Sequence, residues 1–293
     1  MQVTIISRSG QKKPYGSIPR INWSHPLAQG LESYIYDCGG IFYDLVSGQT
    51  TTVNNGGTYF GTNSSSKYGS GFKFPLGAAA YHQCPAFNLP TNTRIGTIGS
   101  TASRTSFAIG FNPTNIPAQT ATIIASYVDP SNSVGFAAIV ANVSISGDLE
   151  LISGAGGTGS TTNIAPAGYT LNAYHTASFS VATSTILNVY FDGVLIASPT
   201  GSLTHTATDV RANIGNGGGV GGDGFAGFIY WMAAWDGRVL SNTEHSYLNA
   251  DPYCFLIYPE DEMFSSMYGS AIASLWIPPY GGPYNRIISI RPY

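Results

Sequence analysis

Residues 175–248 constrain the fold of this chain more than any other stretch. They open with HTASFSVATSTILNVYFDGVLIAS and close with FAGFIYWMAAWDGRVLSNTEHSYL. Ala177, Phe179 and Val181 alternate with polar residues, as do Leu187, Val189 and Phe191. A period of two is the signature of a half-buried strand. Asp192-Gly193 joins the two runs, and this dipeptide suits a type I′ turn, in which both central residues need a positive φ. Residues 225–235 are apolar at consecutive positions, so that strand is buried on both faces or lies at an interface. Ser241 and Glu244 then have the spacing of a capping box, in which each side chain satisfies an exposed N–H group at a helix start. The helix is expected to run to about Asn249, with Asp251-Pro252 stopping it.

Upstream, the same alternation predicts strands at residues 105–111, 121–128, 135–143 and 148–152, and shorter ones near residues 33–36, 41–45 and 72–74. Residues 153–168, SGAGGTGSTTNIAPAG, read as a low-complexity surface loop. The glycine run 215–224 reads as a loop between strands, because it lacks the strand-then-helix setting that phosphate binding needs. The division that follows is an N-terminal arm over residues 1–21, a β-sandwich over residues 22–250 and a C-terminal extension over residues 251–293. Gln2 to Ile6 is expected to form a short strand. Ile287, Ile288 and Ile290 are expected to add a strand to a sheet edge, of their own chain or a neighbour's.

Only 9% of the 293 residues are charged, against roughly 25% in an ordinary soluble domain. Such a surface suits a protein covered by partners, since interfaces exclude Lys and Glu and favour aromatics. A homo-oligomer is therefore expected. The net charge of −3 offers no basic patch for nucleic acid, and no window reaches the ~20 apolar residues of a membrane span. Cys38, Cys84 and Cys254 are far apart and read as reduced, small apolar core residues.

The hairpin Tyr190-Phe191-Asp192-Gly193, the strand start Asn213-Ile214-Gly215-Asn216 and the ending from Gly227-Phe228-Ile229 to Leu240-Ser241-Asn242-Thr243-Glu244 together resemble laminin-G and concanavalin-A-like domains. The resemblance covers residues 22–249 and implies an all-β jelly roll, an antiparallel β-sandwich with extended N- and C-terminal arms. The opening IPRINWSHPLAQGL, with that domain, also resembles tailed-bacteriophage structural proteins. That resemblance implies a virion component made in the host cytoplasm, most simply a capsid decoration protein whose arms bind the major capsid protein or neighbouring copies. The alternative, implied by the fold resemblance, is a carbohydrate-binding adhesin for host-surface glycans.

Neither reading supplies a catalytic group, and the chain is expected not to be an enzyme. Asp148-Leu149-Glu150 sets two carboxylates about 7 Å apart on one strand face, near a glycosidase separation. The longer E-x-D-x-E pattern of that fold's glycosidases is absent, and a solvated strand face is the simpler reading. Asp37 and Asp223 sit in glycine loops compatible with calcium, which wants several oxygens; no cofactor is otherwise expected, and no metal-ligating set is assigned. His25, His82, His175, His205 and His245 lack metal spacing. Tyr127, Tyr169, Tyr174 and Trp235 are the aromatics available by type to stack on sugars.

Overall fold

The computed structural model describes residues 3–7, 18–37, 41–50, 52–54, 71–74, 81–84, 105–114, 122–128, 140–143, 149–153, 160–163, 169–183, 186–198, 211–214, 226–257 and 286–290. All pairings between the described strands are antiparallel. The larger sheet has nine strands. From one edge they run β16 (Val194–Ala197), β15 (Ile186–Phe191), β14 (His175–Thr183), β9 (Thr105–Pro113), β18 (Gly227–Asp236), β3 (Leu31–Asp37), β4 (Phe42–Asp44) and β5 (Gln49–Thr50), while β7 (Phe72–Phe74) pairs with the first residues of β18. The second sheet has seven strands in the order β13 (Ser160–Asn163), β12 (Leu149–Ser153), β11 (Val140–Val143), β10 (Thr122–Val128), β17 (Arg211–Ile214), β8 (Tyr81–Cys84) and β6 (Thr52–Asn54). Two ribbons complete the set: β1 (Val3–Ser7) with β20 (Arg286–Ile290), and β2 (Arg20–Ile21) with β19 (Leu256–Ile257). The chain is an all-β antiparallel sandwich with one helix, α1 (Asn242–Ala250).

Register explains the seven-stranded sheet. Leu151, Ala141, Ala125 and Ile214 fall in one row. The flanking rows are Asn163–Glu150–Asn142 and Ser126–Asn213–Gln83–Thr52. Successive rows of a pleated sheet belong to opposite faces; the alternation is partial, since Ile123 stands opposite Asn142 and Ile152 pairs with Val140 beside the Leu151 row. Residues 160–163, expected to be loop, form β13 instead. Two of its four residues are Thr, which suits a strand, and the low-complexity flanks conceal a segment too short to show a period. The strands near Phe72 and Tyr81 do not pair with each other: β7 joins the larger sheet and β8 the smaller.

The nine-stranded sheet is covered on both faces. Phe107, Ile109, Phe111, Phe179, Ile229 and Met232 are buried on one face, with Phe107 stacked on Phe179 at 5.2 Å. Tyr34, Tyr36, Trp231 and Trp235 alternate with them and build a second core with Leu27, Leu248, Tyr253 and Phe255. This outer core is closed by the chain itself. Trp235 Nε1 donates to the Leu27 carbonyl at 2.7 Å, Tyr34 Oη donates to the Pro252 carbonyl at 2.9 Å, and the Tyr34 ring meets Phe255 edge-on at 5.1 Å. Fully burying each large aromatic is worth about 2–3 kcal/mol. Arg238 ties the same cover together, donating to the Pro26 and Gln29 carbonyls and pairing with Glu244. The consecutive apolar residues of β18 are thus explained: each face of the strand has its own core.

The hairpin and helix form as expected. Asp192 and Gly193 have φ of 48° and 75°. Ser241 caps α1, accepting from the Glu244 N–H while the Glu244 carboxylate accepts from the Ser241 N–H.

Candidate functional site

The outer face of the nine-stranded sheet changes character along β9 and β18. Toward Trp235 it is closed by residues 21–31, α1 and residues 251–257. Toward Gly227 three strands set three dissimilar side chains in one register row: Asn112 of β9 faces Phe228 of β18, and Phe228 faces Lys73 of β7. Neighbours in such a row have Cβ atoms about 4.5–5.5 Å apart. Phe111 and Phe72, one residue away on their strands, are buried on the opposite face, so the row belongs to the outer face. Lys73 is exposed, and Asn112 and Phe228 are half-buried.

The floor beside this row is aromatic. Trp231 pairs with Gly110, and its indole lies across that glycine with Nε1 donating to Tyr174 Oη at 2.9 Å. A Cβ at Gly110 would stand 2.2 Å from Nε1 and 2.6 Å from the Tyr174 hydroxyl, so glycine is the residue that lets the indole lie flat. Tyr174 also meets Tyr230 edge-on at 5.4 Å. A bulge between Ile229 and Trp231 accommodates Tyr230, whose ring packs against Gly71. Against this floor the Asn112 Oδ1 is buried with no hydrogen-bond partner. Native structures leave few buried acceptors unpaired, and each calls for an explanation. An aromatic face, an unpaired amide acceptor and a cation in one row can hold a ring bearing hydroxyl groups.

The histidines lie elsewhere. His245 of α1 is buried between two strand hydroxyls, with Nδ1 2.8 Å from Ser178 Oγ and Nε2 2.8 Å from Ser180 Oγ, and it stacks on Tyr190 at 3.8 Å. Burial pushes its pKa down to about 3, so the ring is neutral. Ser180 passes the contact on to Ser106, whose hydroxyl also accepts from the Leu240 N–H. A serine–histidine pair becomes a nucleophile only where substrate can reach the hydroxyl. Here α1 covers both serines, and the cluster fastens the helix to the sheet. At the start of β14, His175 Nδ1 is 2.9 Å from Asp192 Oδ2 and Nε2 is 3.0 Å from the Thr170 carbonyl. Burial disfavours its charge, but the Asp192 hydrogen bond and charge, with the Thr170 carbonyl, outweigh it and raise the pKa above the usual value. Asp192 is therefore both turn residue and the clamp of His175, for its Oδ1 also accepts from the Thr176 N–H.

The aromatics proposed for sugar stacking separate. Trp235 is buried in the outer core, and Tyr169 packs edge-on against His175. Of the three whose side chains are described, Tyr174 alone stands beside the row; the Tyr127 side chain lies outside the described residues. Phe228 and Asn112 were not singled out from sequence, because nothing local marks them. Glu150 pairs with Asn142 and Asn163, whereas Asp148 lies outside the described residues. Asp37 is buried at the end of β3, and Asp223 lies outside the described residues. Among the described residues no three His, Cys, Asp or Glu gather as a metal site. Cys254 carries no disulfide, and burial with the nearby Asp251 charge raises its thiol pKa.

No family model and no curated protein sequence matches the chain. Solved structures do match. Domain 4 of AbnA, a GH43 extracellular arabinanase from Geobacillus stearothermophilus in complex with arabinotriose, aligns with a TM-score of 0.54 at 18% identity, over 75% of this chain and 98% of that one. Trypanosoma rangeli sialidase aligns with a TM-score of 0.54 at 14% identity, over 82% of this chain and 36% of the enzyme. The receptor-binding domain of botulinum neurotoxin D aligns with a TM-score of 0.52 at 14% identity, over 77% of this chain and 53% of that domain. The fold is a concanavalin-like β-sandwich. The chain spans about a third of the sialidase and half of the toxin domain.

These neighbours correct one expectation. The chain was expected not to be an enzyme because no catalytic motif shows in its sequence. Its fold is shared with an arabinanase domain and with about a third of a sialidase, and folding brings residues of distant strands together, as it does Asn112, Phe228 and Lys73 here. A missing linear motif therefore does not exclude catalysis. Nothing in these neighbours connects the chain to a virion.

Proposed function

We propose that the chain is a carbohydrate-binding β-sandwich whose glycan lies on the Asn112–Phe228–Lys73 row. The observation that carries this reading is the buried, unpaired Asn112 Oδ1 beside a half-exposed aromatic ring. With the half-buried Asn112 amide turned toward the surface, a sugar hydroxyl can donate to its oxygen while the apolar face of the sugar ring lies on Phe228. Few polar groups precisely placed around apolar surface are the usual make-up of a small-ligand site. The arabinanase domain, aligned over nearly its whole length and solved with arabinotriose, supports the reading by analogy of fold.

A glycan array probed with the protein, with and without calcium, tests it. Binding is expected, and Phe228→Ala is expected to weaken it about tenfold or more, the effect of losing a central aromatic anchor. Trp23, 57% exposed on the turn after β2, is the comparison: if Trp23→Ala abolishes binding and Phe228→Ala does not, the site is misplaced.

A second reading, a virion component held by its arms, draws on one observation. The two arms are paired strand to strand, Val3 with Ile290 through Ser7 with Arg286. An isolated two-stranded ribbon is marginally stable in water, and a neighbouring subunit would supply the packing it needs. Deleting residues 286–293 is expected to abolish incorporation into particles under this reading; unchanged incorporation contradicts it.

A further inference from the structure

We infer that the saccharide taken by this row carries an anionic substituent, and that Lys73 selects it. The inference rests on the carbohydrate-binding reading and names the substrate class of the same site. Phe228 is flanked by unlike partners: the amide of Asn112 on β9 and the ammonium-bearing side chain of Lys73 on β7. A ring lying on Phe228 therefore presents one side to an acceptor, which suits a hydroxyl, and the other to a cation, which suits a carboxylate or sulfate.

Three further features favour this assignment. The chain is poor in charge, with only 12 Lys and Arg in 293 residues, so a lysine beside an aromatic is a specific feature. Lys73 is exposed although Phe72 beside it is buried and stacked on Phe42 at 5.0 Å. The strand is therefore anchored by its phenylalanine, and the lysine stands on a fixed base. At Gly71, two residues before Lys73 on the same face, a Cβ would lie 3.0 Å from the Tyr230 ring and 3.2 Å from Phe228 Cβ. The sheet thus brings β7 close against the aromatic floor, and Lys73 is the next outward residue along it. A lone surface ion pair is worth up to about 1 kcal/mol, or about fivefold in affinity. That is enough to rank ligands that the aromatic and the amide hold equally well.

The test compares three oligosaccharides of one backbone, neutral, uronate-bearing and sulfated, by titration calorimetry. The unmodified protein is expected to prefer one or both anionic forms about fivefold, with the preference fading as salt rises. Lys73→Gln is expected to erase the preference, bringing the ratio of anionic to neutral affinity to about one, and Lys73→Arg to retain it. The uronate and sulfate arms show which anion fits. Neutral and anionic forms bound equally, or a preference that survives Lys73→Gln, would overturn the inference and leave carbohydrate binding intact. Binding of none of the three, by a protein whose melting temperature matches its variants, would count against the underlying reading as well.

Discussion

The two ends of one sheet face are filled differently. β9 and β18 run the length of the outer face. At one end three polar side chains beneath the cover have partners within the chain: Trp235 with Leu27, Tyr34 with Pro252, His245 with Ser178 and Ser180. At the other end the same strands place a buried acceptor with no partner beside a half-exposed ring and an exposed lysine. The first arrangement is that of a core. The second leaves an acceptor desolvated without the hydrogen bond that would compensate it, and a ligand hydroxyl can supply that bond.

The contrast can be broken at either end. The largest effect is expected from Trp235→Ala in the closed end, where loss of a buried tryptophan typically costs about 3–5 kcal/mol. The melting temperature should fall steeply, while glycan affinity per folded molecule is unchanged. Gly110→Ala, at the boundary, drives a methyl group into the Trp231 indole and Tyr174 hydroxyl, and overpacking of this kind costs about 1–3 kcal/mol. It should lower both stability and affinity, because the indole floor borders the row.

A smaller effect is expected from pH, and it separates the two buried histidines. His245 has a folded pKa depressed to about 3, so the unfolded chain binds its proton first. Stability from this group is complete above about pH 6.5, the unfolded value, and drains away as pH falls toward 3. His25, lowered by burial and the Arg238 charge, acts in the same direction. His175 acts oppositely: its pKa is raised, so its contribution is present below about pH 6.5 and is lost as pH rises through the folded value. Melting temperatures from pH 4 to 8 should show the acid loss reduced in His245→Gln, and the alkaline loss reduced in His175→Gln. The reverse pattern would mean the two environments are wrongly assigned.

What the sequence discloses follows from range. The Asp192-Gly193 turn and the Ser241–Glu244 box are local, and both were legible from residues a few positions apart. The apolar run in β18 was legible as doubly buried, but not what buries its outer side. That depends on Tyr253 and Phe255 folding back beyond Pro252, in a stretch whose Pro- and Tyr-rich composition masks any period. The row Asn112–Phe228–Lys73 was not legible at all. Each residue sits in an ordinary alternating strand, and only the order β9–β18–β7 makes them neighbours. Composition likewise suggested partners for a charge-poor surface without indicating that the chain covers one of its own sheet faces itself.

The contrast between the two ends is tested most directly by Asn112→Ala, with melting temperature and glycan affinity measured on the same sample. Removing an unpaired buried acceptor relieves its desolvation, so the melting temperature is expected to hold or rise slightly. Affinity is expected to fall about fivefold or more, the loss of one hydrogen bond of about 1 kcal/mol. A variant that is clearly less stable, yet binds glycan as well as the unmodified protein, would show that Asn112 belongs to the core and that this end of the sheet is not a binding site.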